Sequence, residues 1–389
     1  MTEVPTEQAD WRDLRAAVHA DLALQERLAA VVEQQAFVSA LVAEAAQHGM
    51  ALSAAAAATL IGPDMLGIER FNARPPDGSA WPSTAWLPAE TNVLAPEPSI
   101  DWLRAGATRL TAPFYYDTVR HLRHLPFNRA FRYRMTIADF VKSAEPGCAP
   151  DGLIFHMSRC GSTLVAQMIM GLKASLVISE PPPLDDVLQF SLLGGEDAAV
   201  AALRAMTAAF GRRGGRPFVL KLDAWHALAL PLFRRAFPET PWIFLHRDPV
   251  EVLVSHMRQR GSQMLPQFFP PRFFGIDLDD AVPDEDYCAR VLGAICNAAA
   301  DHAAIGGGLT IDYRDLPGAV FSAILPHFGV TVSPAERAAM EAVTERDVKA
   351  PHQGFAPDGE AKRREASDAV RQAAERHLDP ALRRLAAMA

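Results

Sequence analysis

The sequence has no long apolar run, little cysteine and no excess of positive charge. No apolar run approaches the roughly 18 residues of a membrane span, so no transmembrane helix is expected. The four cysteines, Cys148, Cys160, Cys288 and Cys296, lack metal-site spacing, which predicts free thiols and no bound metal. The net charge of −8 provides no general basic surface, so we expect no nucleic-acid partner. The N-terminal segment is acidic and polar, unlike a signal peptide, and a cytoplasmic protein is expected.

What is present is an ordinary globular composition on a long chain. The 389 residues are 49% hydrophobic and 22% charged, which predicts a soluble protein with more than one domain. We predict three parts: a helical module over residues 1–61, a linker and packing subdomain rich in proline and aromatic residues over 62–150, and a catalytic domain over 151–389.

The first part, residues 1–61, has apolar residues at helical spacing. Asp10 is predicted to cap the first helix, and a third helix is predicted from about residue 36 to residue 47, ending at Gly49. Ser53 is predicted to cap a fourth. The block resembles the Nif11-like module of some peptide leaders, which implies peptide recognition. Packing or dimerisation, giving a homodimer, is the alternative role.

From residue 152 onward, short apolar segments alternate with helical segments. Strands are predicted over residues 153–156, 175–179, 218–222, 242–246 and 309–313. The alternation predicts an α/β fold with a mainly parallel sheet flanked by helices, following the N-terminal all-helical extension. His156, Glu180, Lys221 and Arg247 lie at or just past strand ends, where such sheets bind ligands. We therefore expect these four side chains along one edge of the sheet.

The segment Leu153-Ile-Phe-His-Met-Ser-Arg-Cys-Gly-Ser-Thr-Leu164 combines a strand, a turn of small residues and a helix start. Backbone N–H groups at a helix start have no helical partner and carry partial positive charge, so a phosphate or sulfonate suits this position. Arg159 offers a planar fork for two oxygens. Cys160, Gly161, Ser162 and Thr163 offer N–H groups, with two hydroxyl donors. A Walker A nucleotide loop would have lysine where Ser162 stands.

Two motifs carry a family resemblance. Ser158-Arg-Cys-Gly-Ser-Thr-Leu164 resembles the 5′-phosphosulfate loop of sulfotransferases that use 3′-phosphoadenosine 5′-phosphosulfate (PAPS). His246-Arg-Asp-Pro-Val-Glu-Val-Leu-Val-Ser255 resembles the 3′-phosphate motif of the same family. The resemblance covers about residues 150–365 and implies a P-loop-like, nucleotide-kinase-like core. It also implies PAPS as donor co-substrate, 3′-phosphoadenosine 5′-phosphate (PAP) as product, and Arg247 and Ser255 as ligands of the 3′-phosphate.

The resemblance implies further site residues outside the two motifs. Glu180 stands at a place similar to that of the catalytic glutamate in the tyrosylprotein branch, which implies a general base; a structural ion pair with Arg159 or Lys221 is the alternative. Lys221 is implied to stabilise the transferring group. Tyr313 is implied to lie beside the adenine, with core packing as the alternative. Lys349 is implied to belong to a donor-closing loop.

The combined interpretation is an enzyme, a PAPS-dependent sulfotransferase. Its acceptor is expected to be a hydroxyl or phenol, on a peptide or a small molecule, and its catalytic groups are Arg159, Glu180 and Lys221. A nucleotide-dependent phosphotransferase on the same core is one alternative, which Ser162 argues against. A non-catalytic nucleotide-binding module is another, made less attractive by the three catalytic groups occurring together. His156 and His246 are interpreted as structural residues that border the site.

Overall fold

The chain was studied as a computed structural model, which describes residues 6–62, 74–277, 282–345 and 358–387. It forms two compact units. Unit one comprises Met1–Cys148 with Pro182–Arg213, and unit two comprises Ala149–Pro181 with Gly214–Ala389. The domain division at residues 61 and 150 stays a prediction, and sequence analysis did not anticipate that residues 182–213 group with the N-terminal part. Lys349 lies outside the described residues.

Unit one contains an antiparallel sheet in the order β1-β2-β3. Its strands are β1 (Trp86–Asn92), β2 (Ser99–Arg104) and β3 (Tyr133–Thr136). Its helices are α1 (Thr6–Ala20), α2 (Leu22–Ala29), α3 (Gln34–Gln47), α4 (Ala54–Leu60), α5 (Tyr115–Arg123), α6 (Pro126–Phe131), α7 (Ile137–Lys142), α9 (Pro182–Leu192) and α10 (Glu196–Gly211). Sequence analysis missed the three strands. Polar and apolar residues alternate in Ser99-Ile-Asp-Trp102 of β2 and Tyr133-Arg-Met-Thr136 of β3, and that signal was available.

The N-terminal helices share a core with the sheet of unit one. The indole N–H of the buried Trp86 donates to Gln25 Oε1 at 3.0 Å. The third helix ends at Gln47, and Ser53 Oγ accepts the N–H of Ala56 at 3.1 Å, so both of these predictions are confirmed. The predicted cap at Asp10 is wrong: α1 begins at Thr6, and the Asp10 carboxylate accepts the N–H of Ala51 at 2.8 Å instead.

Unit two contains a five-stranded sheet in the order β5-β6-β4-β7-β8, with every neighbouring pair parallel. Its strands are β4 (Gly152–His156), β5 (Leu176–Ser179), β6 (Phe218–Lys221), β7 (Trp242–His246) and β8 (Gly308–Asp312). Its α-helices are α8 (Ser162–Met170), α11 (Leu230–Ala236), α12 (Pro249–Arg258), α13 (Asp284–Asp301), α14 (Leu325–His327), α15 (Pro334–Glu341), α16 (Gly359–Glu365), α17 (Asp368–His377) and α18 (Asp379–Ala386). The predicted α/β fold with a parallel sheet flanked by helices is confirmed.

Short turns of other helix types complete unit two. The 3₁₀ turns are Ala224–Ala229, Ser262–Met264, Pro271–Phe274, Ala303–Ile305, Tyr313–Asp315 and Ala342–Glu345, and Val320–Ile324 is a π-helical turn. The 3₁₀ turn Ala224–Ala229 leads directly into α11, which has a proline in its first turn. Among the described residues, no helix has both the length and the apolar character that crossing a membrane requires.

Strand pairing in unit two determines which residues share an edge. Ser179 is paired with Lys221, and His156 with Leu245. Because all five strands are parallel, their carboxyl ends lie along the same edge of the sheet. The side chains that follow these ends therefore come together, and they form the candidate site.

Candidate active site

The loop over residues 157–161 joins β4 to α8 through backbone conformations that most residues avoid. Ser158 and Arg159 have φ values of 76° and 52°, and Gly161 has 88°. A left-handed conformation costs a non-glycine residue about 1–2 kcal/mol, so the surrounding structure must hold the first two in place. Gly161 is also sterically required, because a Cβ atom there would lie 2.8 Å from Cδ2 of Tyr313.

The same loop is tied to the neighbouring strand β7. The buried Cys160 thiol donates to the carbonyl of Leu245 at 3.2 Å, and the N–H of Arg247 donates to Sδ of Met157 at 3.3 Å. Burial raises the pKa of Cys160 to about 11, so its thiol stays protonated at neutral pH. Cys160 is therefore a packing residue of the loop, and only its backbone is available to a ligand.

Arg159 is half-buried, and its guanidinium contacts the residue that follows α12. Nη2 donates to the carbonyl of Gln259 at 2.9 Å. Burial lowers its pKa, and the carboxylate of Glu180 opposes that effect. Ser162 and Thr163 are buried in the first turn of α8, directly after the loop. The loop, the helix start and Arg159 are thus adjacent in space, as an anion-binding loop requires.

Glu180, Lys221 and His156 meet beside the loop. The Glu180 carboxylate forms an ion pair with Nζ of the fully buried Lys221, and its Oε1 lies 3.3 Å from Nε2 of His156. The backbone supports the pair, since the N–H of Glu180 donates to the carbonyl of Lys221 at 2.8 Å. Glu180 itself has a left-handed φ of 48°. His156 and Lys221 are the last residues of β4 and β6, and Glu180 directly follows β5. These three strands are neighbours in the sheet, so the three side chains form one contiguous group.

The pKa of Glu180 results from opposing effects. Burial alone would raise it, but the attraction of Lys221 and the contact with His156 outweigh burial and hold the pKa well below its usual range. Burial lowers the pKa of His156, with Glu180 opposing that effect and Lys221 adding to it. At neutral pH the group therefore contains a carboxylate and a neutral imidazole.

Arg247 is the centre of a second charged cluster, at the end of β7. Its Nε donates to Glu251 Oε2 at 2.7 Å, and its Nη2 donates to Asp358 Oδ1 at 3.0 Å. Its guanidinium lies over the ring of Tyr313, 4.1 Å from the centroid, a cation–π distance. Arg363 also forms an ion pair with Glu251. Two carboxylates thus already neutralise the charge that sequence analysis assigned to a phosphate.

A cavity of about 1020 Å³ opens in front of this cluster. Arg247 and Tyr313 are among its lining residues, and Leu164 of α8 connects it to the anion loop. Arg159 is not among the lining residues. Among the described residues, the wall also contains four arginines and six acidic residues: Arg247, Arg314, Arg363 and Arg383, with Asp248, Glu251, Asp312, Asp358, Glu360 and Asp379. The volume suits a nucleotide-sized ligand, but this described part of the wall has no net positive charge.

The remaining predicted site residues have structural contacts. Ser255 Oγ donates to the carbonyl of Glu251 within α12 at 2.8 Å, and Ser255 is not part of the cavity wall. Asp248 caps α12 by accepting the N–H of Glu251 at 3.0 Å. Tyr313 packs between Gly161 and Arg247, and its place beside an adenine stays a prediction.

Sequence analysis missed the acidic partners of Arg247. Glu251 stands one helical turn after Arg247, a spacing at which opposite charges pair, and that signal was available. Asp358 lies 111 positions away, and no sequence pattern connects the two residues. The coupling of His156 to Glu180 was missed for the same reason.

No protein-family model matches the sequence, and no curated protein matches it. Among solved structures, the chain is similar to the sulfotransferase domain of the olefin synthase from Synechococcus PCC 7002, with 16% identity, a TM-score of 0.38, and coverage of 59% of this chain and 95% of that one. It is also similar to sulfotransferase STF9 from Mycobacterium avium (11% identity, TM-score 0.36, coverage 60% and 78%). For sulfotransferase STF1 from Mycobacterium tuberculosis H37Rv, the identity is 15% and the TM-score is 0.36, with coverage of 61% of this chain and 81% of that one. All three TM-scores are below 0.5, so we argue function from the site residues alone.

Proposed function

We propose that this protein is a PAPS-dependent sulfotransferase that transfers the sulfuryl group to a hydroxyl or phenol acceptor, on a peptide or a small molecule. The observation that carries the proposal is the arrangement at the carboxyl edge of the parallel sheet. An anion loop, the Glu180–Lys221 pair and the Arg247–Tyr313 pair lie at adjacent strand ends there. This is the edge at which sheets of this type bind their ligands.

The loop suits the 5′-phosphosulfate end of the donor. The start of α8 offers backbone N–H groups that have no helical partner, and Arg159 adds a cation. The oxygen-rich sulfuryl group and the 5′-phosphate both accept hydrogen bonds from such donors. Lys221, at the next strand end, supplies a second cation for the charge that develops on the leaving phosphate.

The cavity suits the adenosine and 3′-phosphate end. Arg247 offers a guanidinium that is already oriented by Tyr313, and Tyr313 itself lines the cavity. A 3′-phosphate bound there would replace one of the two carboxylates on Arg247. Asp358 is the candidate for replacement, because 46% of its side chain is exposed, against 6% for Glu251.

In the proposed reaction the acceptor oxygen attacks sulfur, and the bond between sulfur and the 5′-phosphate oxygen breaks. The acceptor proton moves to Glu180, and PAP leaves. Paired with Lys221, Glu180 is a weak base, because its pKa is low. When Lys221 turns its charge toward the donor, that pairing weakens and the pKa of Glu180 rises, so donor binding itself prepares the base.

Calorimetry with PAP, ATP and AMP tests the donor. We expect PAP to bind best and Arg247→Ala to lose about 10-fold to 100-fold in PAP affinity, the size of a charge-assisted hydrogen bond. Arg314→Ala is the matched control, because Arg314 lines the same cavity but is exposed and pairs with Asp312. It should change PAP affinity less than threefold. Magnesium-dependent binding of ATP in preference to PAP would instead favour a phosphotransferase.

A truncation of residues 1–61 does not test the role of the helical module. Removing it would expose the buried Trp86 and take away its hydrogen-bond partner Gln25, so unit one would lose part of its core. The Nif11-like resemblance and its implied peptide recognition therefore stay predictions. Exposed positions on these helices, such as Leu22 of α2, which is 56% exposed, are suitable sites for substitutions that leave the core intact.

A further inference from the structure

His156 ends β4 and touches two parts of the site at once. The residue is buried, with 4% of its surface exposed. Its Nδ1 accepts the N–H of Ser158 at 3.0 Å, and its Nε2 faces Glu180 Oε1 at 3.3 Å. The ring thus lies between Ser158, the first left-handed residue of the anion loop, and the carboxylate of Glu180, which in the proposed reaction accepts the proton of the hydroxyl or phenol.

The contact with Ser158 determines the tautomer. A nitrogen that accepts a hydrogen bond carries a lone pair, so the proton of the neutral ring must be on Nε2, where it faces Glu180. A doubly protonated ring would place an N–H against the N–H of Ser158. Burial and the adjacent Lys221 also lower the pKa of His156, and together they outweigh the attraction of Glu180. The ring is therefore neutral at neutral pH.

The loop needs such a contact. Ser158 and Arg159 adopt left-handed conformations without being glycine, and these persist only where the surroundings hold them. Nδ1 of His156, at the end of β4, accepts the hydrogen bond from the N–H of Ser158. A residue with no acceptor at this position would leave the N–H unsatisfied and the turn less defined.

We propose that His156 is a positioning residue: through its two ring nitrogens it holds the Glu180 carboxylate and the first turn of the anion loop in a fixed relative position. The inference rests on the proposed function, because it assigns the base and the donor loop to one reaction. Through this link, the donor-binding loop and the base cannot move independently, so a shift of one misplaces the other.

Two substitutions separate the two contacts. His156→Asn places an acceptor near the position of Nδ1 and removes the group that faces Glu180. His156→Gln places a donor near the position of Nε2 and removes the acceptor for Ser158. We expect His156→Asn to keep PAP affinity within about threefold and to lower PAPS turnover, measured as PAP release with a panel of phenols, by about 10-fold to 100-fold. His156→Gln should lose PAP affinity by about tenfold and keep more of its turnover at saturating PAPS.

The matched control is His226→Asn. His226 is also fully buried in unit two, and its Nδ1 accepts the N–H of Asp223 at 3.1 Å, so the substitution has a similar packing cost. It should leave both PAP affinity and turnover near the wild-type values. Equal losses of affinity and turnover in all three variants would show that a buried histidine matters only for packing, and would overturn the inference.

Nuclear magnetic resonance of the ¹⁵N-histidine-labelled wild type tests the inference without any acceptor. We expect His156 as the neutral Nε2–H tautomer at pH 7 and above. A proton on Nδ1, or a cationic ring at pH 7, would overturn the inference even if the variants do not fold. Failure of PAP to bind the wild type would refute the proposed function, and the tautomer measurement would then decide the role of His156 alone.

Discussion

The carboxylate of Asp358 occupies the position on Arg247 where we place the 3′-phosphate. Asp358 Oδ1 accepts from Nη2 of Arg247 at 3.0 Å, and its Oδ2 lies 2.6 Å from Nζ of Lys362. An incoming phosphate must replace this carboxylate or share the guanidinium with it. Asp358→Asn removes the negative charge at nearly constant shape. It also keeps a good residue at the N-cap of α16, so the helix start is not perturbed.

The expected gain follows from the environment of the carboxylate. A hydrogen bond to a charged group contributes about 1.5–3 kcal/mol when buried, and an exposed ion pair contributes about 0–1 kcal/mol. Asp358 is 46% exposed, and the asparagine retains an acceptor, so we use about 1 kcal/mol, near the exposed limit. That corresponds to about fivefold tighter binding of PAP.

Calorimetric titration of PAP into the wild type and the variant measures this directly. Glu365→Gln is the control, because Glu365 belongs to the same helix, is 47% exposed and pairs with Arg258 without touching Arg247. It should change PAP affinity less than twofold. Equal tightening in both variants would indicate a general charge effect, and unchanged or weaker binding by Asp358→Asn would refute the competition between the carboxylate and the phosphate.

Two further variants test the loop and the base. Gly161→Ala should lower PAP affinity at least tenfold and lower the free energy of unfolding by about 1–2 kcal/mol, because the added Cβ would clash with Tyr313 and because position 161 has a left-handed φ. Wild-type PAP affinity by calorimetry and wild-type stability in denaturant titration would contradict this. Glu180→Gln should keep PAP affinity and lose PAPS turnover, since an amide cannot accept the acceptor proton; full turnover would remove Glu180 from the mechanism. Because the folded-state pKa of Glu180 is depressed, its contribution to stability is complete above the ordinary value near 4.5 and is lost as the pH falls from there toward the folded-state pKa. Between pH 5 and pH 3, the unfolding free energy of Glu180→Gln should therefore change less steeply than that of the wild type, and identical slopes would contradict the ion pair.

Much of unit two could be predicted from local pattern. The strand that ends at His156, the turn at Gly161 and the helix that follows are encoded within a few residues, because apolar runs and glycine act locally. The parallel pairing then brings the strand ends to one edge. For this reason the predicted positions of Glu180, Lys221 and Arg247 along that edge agree with the structure.

Unit one was harder to predict because its strands contain buried polar residues. Asp101 in β2 and Arg134 in β3 are both buried and form a bidentate ion pair. Nε of Arg134 donates to Oδ1 of Asp101 at 2.7 Å, and Nη2 donates to Oδ2 at 2.9 Å. In sequence they alternate with apolar neighbours, which indicates strands with a solvent-exposed polar face rather than strands with buried charges. The pairing of the two strands gives each charge a partner, and a buried charge without one would be strongly destabilising.

The sequence by itself determined the order of strand, anion loop and helix, and the residue types that a sulfuryl donor would need. The tertiary structure alone decided the electrostatic state of those residues: that Lys221 and His156 hold the carboxylate of Glu180, and that Asp358 holds Arg247. The physical reason is that backbone conformation depends mainly on near neighbours in the chain, whereas the energy of a charge depends on groups within a few ångströms in space, however distant they are in sequence.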